Sequence, residues 1–182
     1  MANELFFVQE LQNTSTREKA FKQLVSEYKE RLYWHIRKIV LVHDDADDVL
    51  QNTFIKIYKN IDNFKNESKL FSWMYRIAIN ESITFINKRA KEKNISIEEY
   101  HQEAVSNLAD DHYFSGDYVQ LVLQKAIATL PQKQQIVFNL KYFEELKYDE
   151  ISEILDTSVG ALKASYHHAT KKIEVFIKNH TH

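Results

Sequence analysis

Apolar side chains recur along this chain at the three- and four-residue spacing that lines one face of a helix. From Lys19 to Val40, the positions Phe21, Leu24, Val25, Tyr28, Leu32, Ile36, Ile39 and Val40 share such a face. The stretch "DDADDVLQNTFIKIYKNI" predicts a second helix with Ala46, Val49, Leu50, Phe54, Ile57, Tyr58 and Ile61 on its apolar side. Its four leading aspartates suit the positive end of the helix dipole. After the polar loop "FKNESK", a third helix turns Phe71, Tyr75, Ala78, Ile79, Ile83 and Ile86 inward and sets Arg76, Asn80, Thr84, Asn87 and Lys91 on another side. Periodicity fades between Lys93 and Asp117, which predicts a linker with room for one short helix. If flexible, about 25 such residues span roughly 25 to 30 Å.

The pattern returns with "YVQLVLQKAIATL", stops at Pro131 and resumes as "QKQQIVFNLKYFEE" with Ile136, Val137, Leu140 and Phe143 as its stripe. In "YDEISEILDTSVGALKASYHHATKKIEVFI", Ile151, Ile154 and Leu155 face a core, Asp156 and Thr157 turn the chain, and Ser158 suits an amino-terminal cap. Leu162, Tyr166, Ala169, Ile173 and Phe176 then share one face of the last helix. Gly160, Ala161, Lys163, Ala164, His167, His168, Lys171 and Lys172 are left outward or flanking. This is helix-turn-helix spacing. Small residues near the helix start let the backbone approach bases in a major groove, lysines neutralise phosphates, and the histidines donate to phosphates or base edges. Spacing alone leaves a second reading open, with Gly160 at a close helix crossing and the lysines on a solvated face.

With two glycines and one proline in 182 residues, the chain lacks the turn residues of a many-stranded sheet, so the expected fold is all-α. No cysteine means no disulfide and no thiolate metal site. The stretch "MANELFFVQE" has too short an apolar core for a signal peptide, and no run approaches the roughly 20 apolar residues of a membrane span. A cytoplasmic protein with no membrane contact of its own is expected. Lys and Arg number 14 against 12 Asp and Glu over residues 1–90, 2 against 7 over 91–119, and 8 against 7 over 120–182. The acidity sits in the middle. Gly116 and Gly160 cannot build a glycine-rich phosphate loop, and the scattered histidines lack carboxylates at metal-ligand spacing. Neither catalysis, a cofactor nor a metal is expected.

The segment "LPQKQQIVFNLKYFEELKYDEISEILDTSVGALKASYHHATKKI" resembles region 4 of bacterial RNA polymerase sigma factors of the extracytoplasmic-function (ECF) class, within the sigma-70 family. Independently, "DDADDVLQNTFIKIYKNIDNFKNESKLFSWMYRIAINESITFINKR" resembles region 2 of the same class. The resemblance implies a region 2 domain over 1–92, an acidic linker over 93–117 and a winged-helix-like, helix-turn-helix region 4 domain over 118–182. It further implies that Asp48, Gln51 and Asn52 dock on core RNA polymerase, off the apolar stripe of their helix.

By the same resemblance, Lys65, Asn66 and Ser68 in the loop, with Trp73, Arg76, Asn80, Asn87, Lys88 and Arg89, read and melt the downstream promoter element. Trp73 is equally well explained as a core residue. Ser158, Gly160, Ala161, Lys163, Ala164, His167, His168 and Lys171 would meet the upstream element as duplex DNA. Family members often carry Arg where Ser165 and His168 stand, and Gly where Asp156 stands. The usual upstream sequence therefore does not carry over, while Asp tolerates the left-handed backbone such a turn needs. The linker would thread a basic channel of the polymerase or serve as a solvated tether. An anti-sigma partner is common in the class, and no residue here identifies one. The competing reading is a stand-alone helix-turn-helix regulator, which leaves Asp48, Gln51 and Asn52 without a role.

Overall fold

The computed structural model describes residues 2–106, Leu108 and residues 118–180. Among them every regular element is helical: α1 (Ala2–Gln12), α2 (Arg17–Val40), α3 (His43–Asn60), a 3-10 turn (Ile61–Asn63), α4 (Leu70–Lys93), α5 (Ile97–Ser106), α6 (Tyr118–Ala128), α7 (Gln132–Tyr142), α8 (Tyr148–Leu155) and α9 (Val159–His180). The expected linker begins with the short helix α5, and residues 107 and 109–117 lie outside the described residues. No described helix is long and apolar enough to cross a membrane.

Helices α2, α3 and α4 pack against one another, with α1 laid along α2 and the 3-10 turn. Their shared core holds Leu24, Leu32, Ile36 and Ile39 from α2, Val49 and Ile57 from α3, and Met74, Tyr75, Ala78 and Ile86 from α4. Three described helices end in left-handed backbone on residues other than glycine: Leu41 ends α2 at φ 67°, Asn94 ends α4 at φ 54° and Asp156 ends α8 at φ 49°. Asn and Asp adopt this left-handed backbone more readily than most residues. Helix α5 is tied back by the Tyr100 hydroxyl, which donates to Asp45 at 2.9 Å, and by Lys93 to Glu103 at 2.7 Å. One of the four aspartates thus supports the fold as well as the helix dipole.

The carboxyl-terminal helices gather around α9, which buries Leu162, Ala169 and Ile173. They do not stand apart from the first four. Ile136, Val137, Leu140, Leu146, Ile151, Ile154 and Leu162 belong to the same apolar cluster as the α2–α4 core.

This junction buries a carboxylate, Glu144, just after α7, whose side chain is only 8% exposed. Its carboxylate accepts from the Tyr75 hydroxyl at 3.1 Å and Lys38 Nζ at 3.3 Å, and pairs with Arg31 Nε at 3.5 Å. The Arg31 guanidinium lies 4.5 Å from the Phe71 ring centre and Lys38 Nζ 4.6 Å from that of Phe143. His35, fully buried beneath this group, has Nδ1 4.0 Å from Glu144 and its ring centre 4.6 Å from that of Tyr75, the two rings tilted by 40°.

Burial pulls the His35 pKa down to about 4, with Lys38 and Arg31 pushing the same way and Glu144 opposing. The unfolded chain therefore binds this proton below about pH 6.5 while the folded chain resists it until about pH 4. Stability falls as pH drops across that window, by on the order of 3 kcal/mol for this group. We expect His35→Phe to flatten the pH dependence of denaturant-induced unfolding between pH 6.5 and 4. An unchanged slope would show that neutral burial of His35 is not its cause.

Candidate nucleic-acid interface

The helix-turn-helix expected from spacing is formed by α8, a left-handed turn at Asp156 and α9. The Ser158 hydroxyl accepts from the Ala161 N–H at 3.3 Å, so the capping role read from the sequence is realised. Leu162, Ala169 and Ile173 are buried, with Tyr166 and Phe176 half-buried against the core. Ser158, Gly160, Ala161, Lys163, Ala164, His167, His168 and Lys171 are all exposed. A Cβ built on Gly160 meets nothing within 4 Å, which excludes the close helix crossing and leaves an open strip of backbone. Lys163 Nζ lies 5.8 Å from the Tyr148 ring centre, and Lys171 pairs with Glu174 at 3.1 Å. The cations on this face are lightly held.

Asp48, Gln51 and Asn52 are exposed on α3, as the apolar stripe predicted. They line a cleft of about 450 Å³ with Glu81, Thr84, Phe85, Lys88, Arg89 and Glu92. Residues assigned from sequence to two different partners therefore share one surface. Arg89 there pairs with Asp45 at 3.4 Å and Glu92 at 3.7 Å, and Lys88 with Glu92 at 3.8 Å. Asn87 is exposed on α4.

Lys65, Ser68, Trp73 and Arg76 meet in a second cleft of about 460 Å³ with Asn63, Phe64 and Glu67. Asn66 turns the loop at φ 57°. Trp73 is half-buried, its ring 5.2 Å from that of Phe64, so it both anchors to the core and walls the cleft. The opposite wall comes from α8 and its cap, through Ser152, Glu153 and Asp156. Arg76 donates to the main-chain oxygens of Ile154, at 3.1 Å, and Glu153. Ser72 donates to the Glu153 carboxylate at 3.1 Å, and Lys69 pairs with Glu150 at 2.9 Å. The Lys69 hydrogen bond holds the Glu150 carboxyl below its ordinary range. Asn80 opens instead on a junction cavity of about 790 Å³ that Ala161 and Ser165 of α9 also line.

Residues 24–92 match the family model of sigma-70 region 2, and residues 120–173 that of sigma-70 region 4. Over 156 residues the chain is 33% identical to the ECF RNA polymerase sigma factor SigW of Bacillus subtilis, covering 81% of this chain and 83% of that protein. The chain belongs to the ECF RNA polymerase sigma factors. It is also 29% identical over 165 residues to the ECF RNA polymerase sigma-E factor of Haemophilus influenzae, covering 86% of each. Among solved structures the fold is similar to CnrH in complex with the cytosolic domain of CnrY, at TM-score 0.71 and 18% identity over 97% of this chain and 98% of that one. It is likewise similar to the sigma factor RpoE from Bartonella quintana in complex with the anti-sigma factor NepR, at TM-score 0.67 and 22% identity over 88% of this chain and 98% of that one.

Sequence reasoning about this sigma factor missed the acidic residues that face α4 across the junction, Glu144, Glu150 and Glu153. Helical spacing reports which face of one helix is apolar and carries no signal for a polar contact between segments about 80 residues apart. Because Gly160 has open space, Gly160→Ala is expected to leave the fold intact and to raise its stability by about 0.4–1 kcal/mol, measured by denaturant unfolding. A destabilised variant would mean that α9 packs more closely at this turn than the structure has it.

Proposed function

We propose that this sigma factor docks on core RNA polymerase through Asp48, Gln51 and Asn52, reads the upstream promoter element with the outward face of α9, and captures the downstream element with residues of α4 and its preceding loop. The observation that carries this assignment is that one chain presents two separate polar surfaces of the right chemistry. The α9 face combines open backbone at Gly160 and Ala161 with exposed Lys163, His167, His168 and Lys171. The loop cleft combines an aromatic wall, Trp73, with polar edges from Lys65, Ser68 and Arg76. An extruded base needs both an aromatic face to stack on and polar groups to pair its edge.

Docking by the α3 residues is supported by their exposure beside Phe85, which gives the cleft an apolar floor within a polar rim. Lys88 and Arg89 border the same cleft, so their charge is available to either partner. Asn80 and Asn87, two turns apart on the same face, extend the polar side of α4 along the helix.

Residues 1–92 and 118–182 act as separate units in this proposal, with 93–117 as the tether. Arg76 is held by α8, and Ala161 faces the cavity beneath Asn80. Simultaneous use of both promoter elements requires the α4–α8 contact to open when polymerase is bound. The protein enables RNA synthesis without performing it, acts in the cytoplasm where polymerase and promoter DNA are found, and needs no cofactor.

Transcription of fragmented genomic DNA by bacterial core RNA polymerase, with and without this protein, tests the assignment through mapped RNA 5′ ends. New start sites sharing a two-part upstream motif are expected. Duplex binding by the folded protein alone, with no new starts, would replace it with a stand-alone regulator. Asp48→Ala combined with Gln51→Ala should lower affinity for core polymerase by about tenfold or more. Its melting temperature should not change, since both residues are exposed. Normal polymerase affinity in that variant would remove the docking assignment.

A further inference from the structure

Helix α1 lay outside the segments that carry the family resemblance, yet it makes specific polar contacts with both ends of the loop between α3 and α4. At one end the Gln12 amide Nε2 donates to two main-chain oxygens, Ile61 at 2.9 Å and Phe64 at 2.9 Å. These carbonyls belong to the 3-10 turn and to the residue that leads directly into Lys65. At the other end the Glu4 carboxylate accepts from the Leu70 N–H at 3.1 Å. Leu70 is the first residue of α4, and the side chain of its cap residue Lys69 makes no capping hydrogen bond. A free amide at a helix start needs an acceptor, and a carboxylate there also meets the positive end of the dipole.

Glu4 and Gln12 are eight residues apart on one helix, a rise of about 12 Å. Helix α1 therefore spans the mouth of the loop from stem to stem. The span is itself fixed in place. Val8 and Leu11 are fully buried in the same cluster as Ile61, Phe64 and Leu70. The carboxyl end of α1 is closed by Arg17, whose guanidinium donates to Leu11 O at 2.9 Å and Gln12 O at 2.9 Å. The same guanidinium pairs with Asp62 of the 3-10 turn. The last turn of α1 and the first stem of the loop are thus held by one shared cation.

We infer that α1 is a strut for the promoter-reading loop, with Gln12 and Glu4 as positioning residues that set the separation of its two stems. This inference rests on the assignment of the loop to the downstream element. Residues 64 to 69 are neither helix nor strand, and Lys65, Asn66 and Glu67 are exposed. Ends tied at both stems leave such a loop fewer conformations, so less ordering remains to be done when it captures an unpaired base. Neither Gln12 nor Glu4 touches DNA in this scheme. They act through the carbonyls of Ile61 and Phe64 and the N–H of Leu70.

The test measures strand opening directly. Core RNA polymerase with each variant is placed on promoters mapped from genomic DNA, and open complexes are scored by permanganate reactivity of unpaired thymines. Gln12→Leu, which loses both donors, and Glu4→Ala, which loses the acceptor, are each expected to slow opening by about tenfold. Affinity for core polymerase should stay within about twofold of wild type. Glu4→Gln keeps an acceptor for the Leu70 N–H and should restore opening. Because Glu4 is exposed, its variants leave the apolar core intact even if Gln12→Leu disturbs it.

Wild-type opening by both Gln12→Leu and Glu4→Ala would overturn the strut, provided that Lys65→Ala combined with Ser68→Ala slows opening. If that loop variant also opens promoters normally, the downstream assignment itself fails. Equal loss of opening and of polymerase affinity in Glu4→Ala would reduce α1 to a merely structural helix.

Discussion

The burial of the Glu144 carboxylate is the interaction on which the junction between the two halves depends. Taking a charge out of water costs several kcal/mol unless partners replace the lost hydration. Here Arg31 and Lys38 of α2 and Tyr75 of α4 supply those partners, and they do so only while the end of α7 lies against both helices. Desolvation by the same packing, with the Glu144 charge as a second cause, holds the Tyr75 hydroxyl protonated far above its ordinary range. That keeps it a donor. An apolar contact of equal area would tolerate sliding, whereas this one specifies which residues meet.

Around that point α8 offers α4 the kinds of group that nucleic acid would offer. Carboxylates from Glu150 and Glu153 meet Lys69 and Ser72, and main-chain oxygens meet Arg76. The two cations at the start of α4, Lys69 and Arg76, are thereby satisfied within the chain. Exposed ion pairs such as Lys69–Glu150 are worth little individually. On the proposed reading of α4, DNA phosphates arriving in number, with release of their counterions, would compete with such pairs.

Helix α9 shows the opposite economy. Its outward residues make few contacts within the protein, and Gly160 has empty space where a side chain would stand. Its inward residues Leu162, Ala169 and Ile173 are buried, so the exposed face is held at a fixed rotation about the helix axis. Asp156 contributes by taking the left-handed backbone that aims α9 away from α8.

What the sequence determined by itself is local. Helical periodicity placed α2, α3, α4, α7 and α9 and their buried faces, because a 3.6-residue repeat is written in the order of side chains. It also set out Asp48, Gln51 and Asn52 beside an apolar stripe and predicted the Asp156 turn, since turn chemistry depends on single residues. Helix α1 was not legible, because eleven residues with little segregation of polar from apolar positions carry no strong period. Its polar contacts depend on where Ile61, Phe64 and Leu70 arrive from 49 to 66 residues away. Only the tertiary structure decided that Lys88 and Arg89 share a cleft with Asp48, that Trp73 is both anchor and wall, and that Glu144 closes the junction. These are pairings between distant segments, and a linear pattern holds no record of which faces will be pressed together once each helix has buried its own stripe.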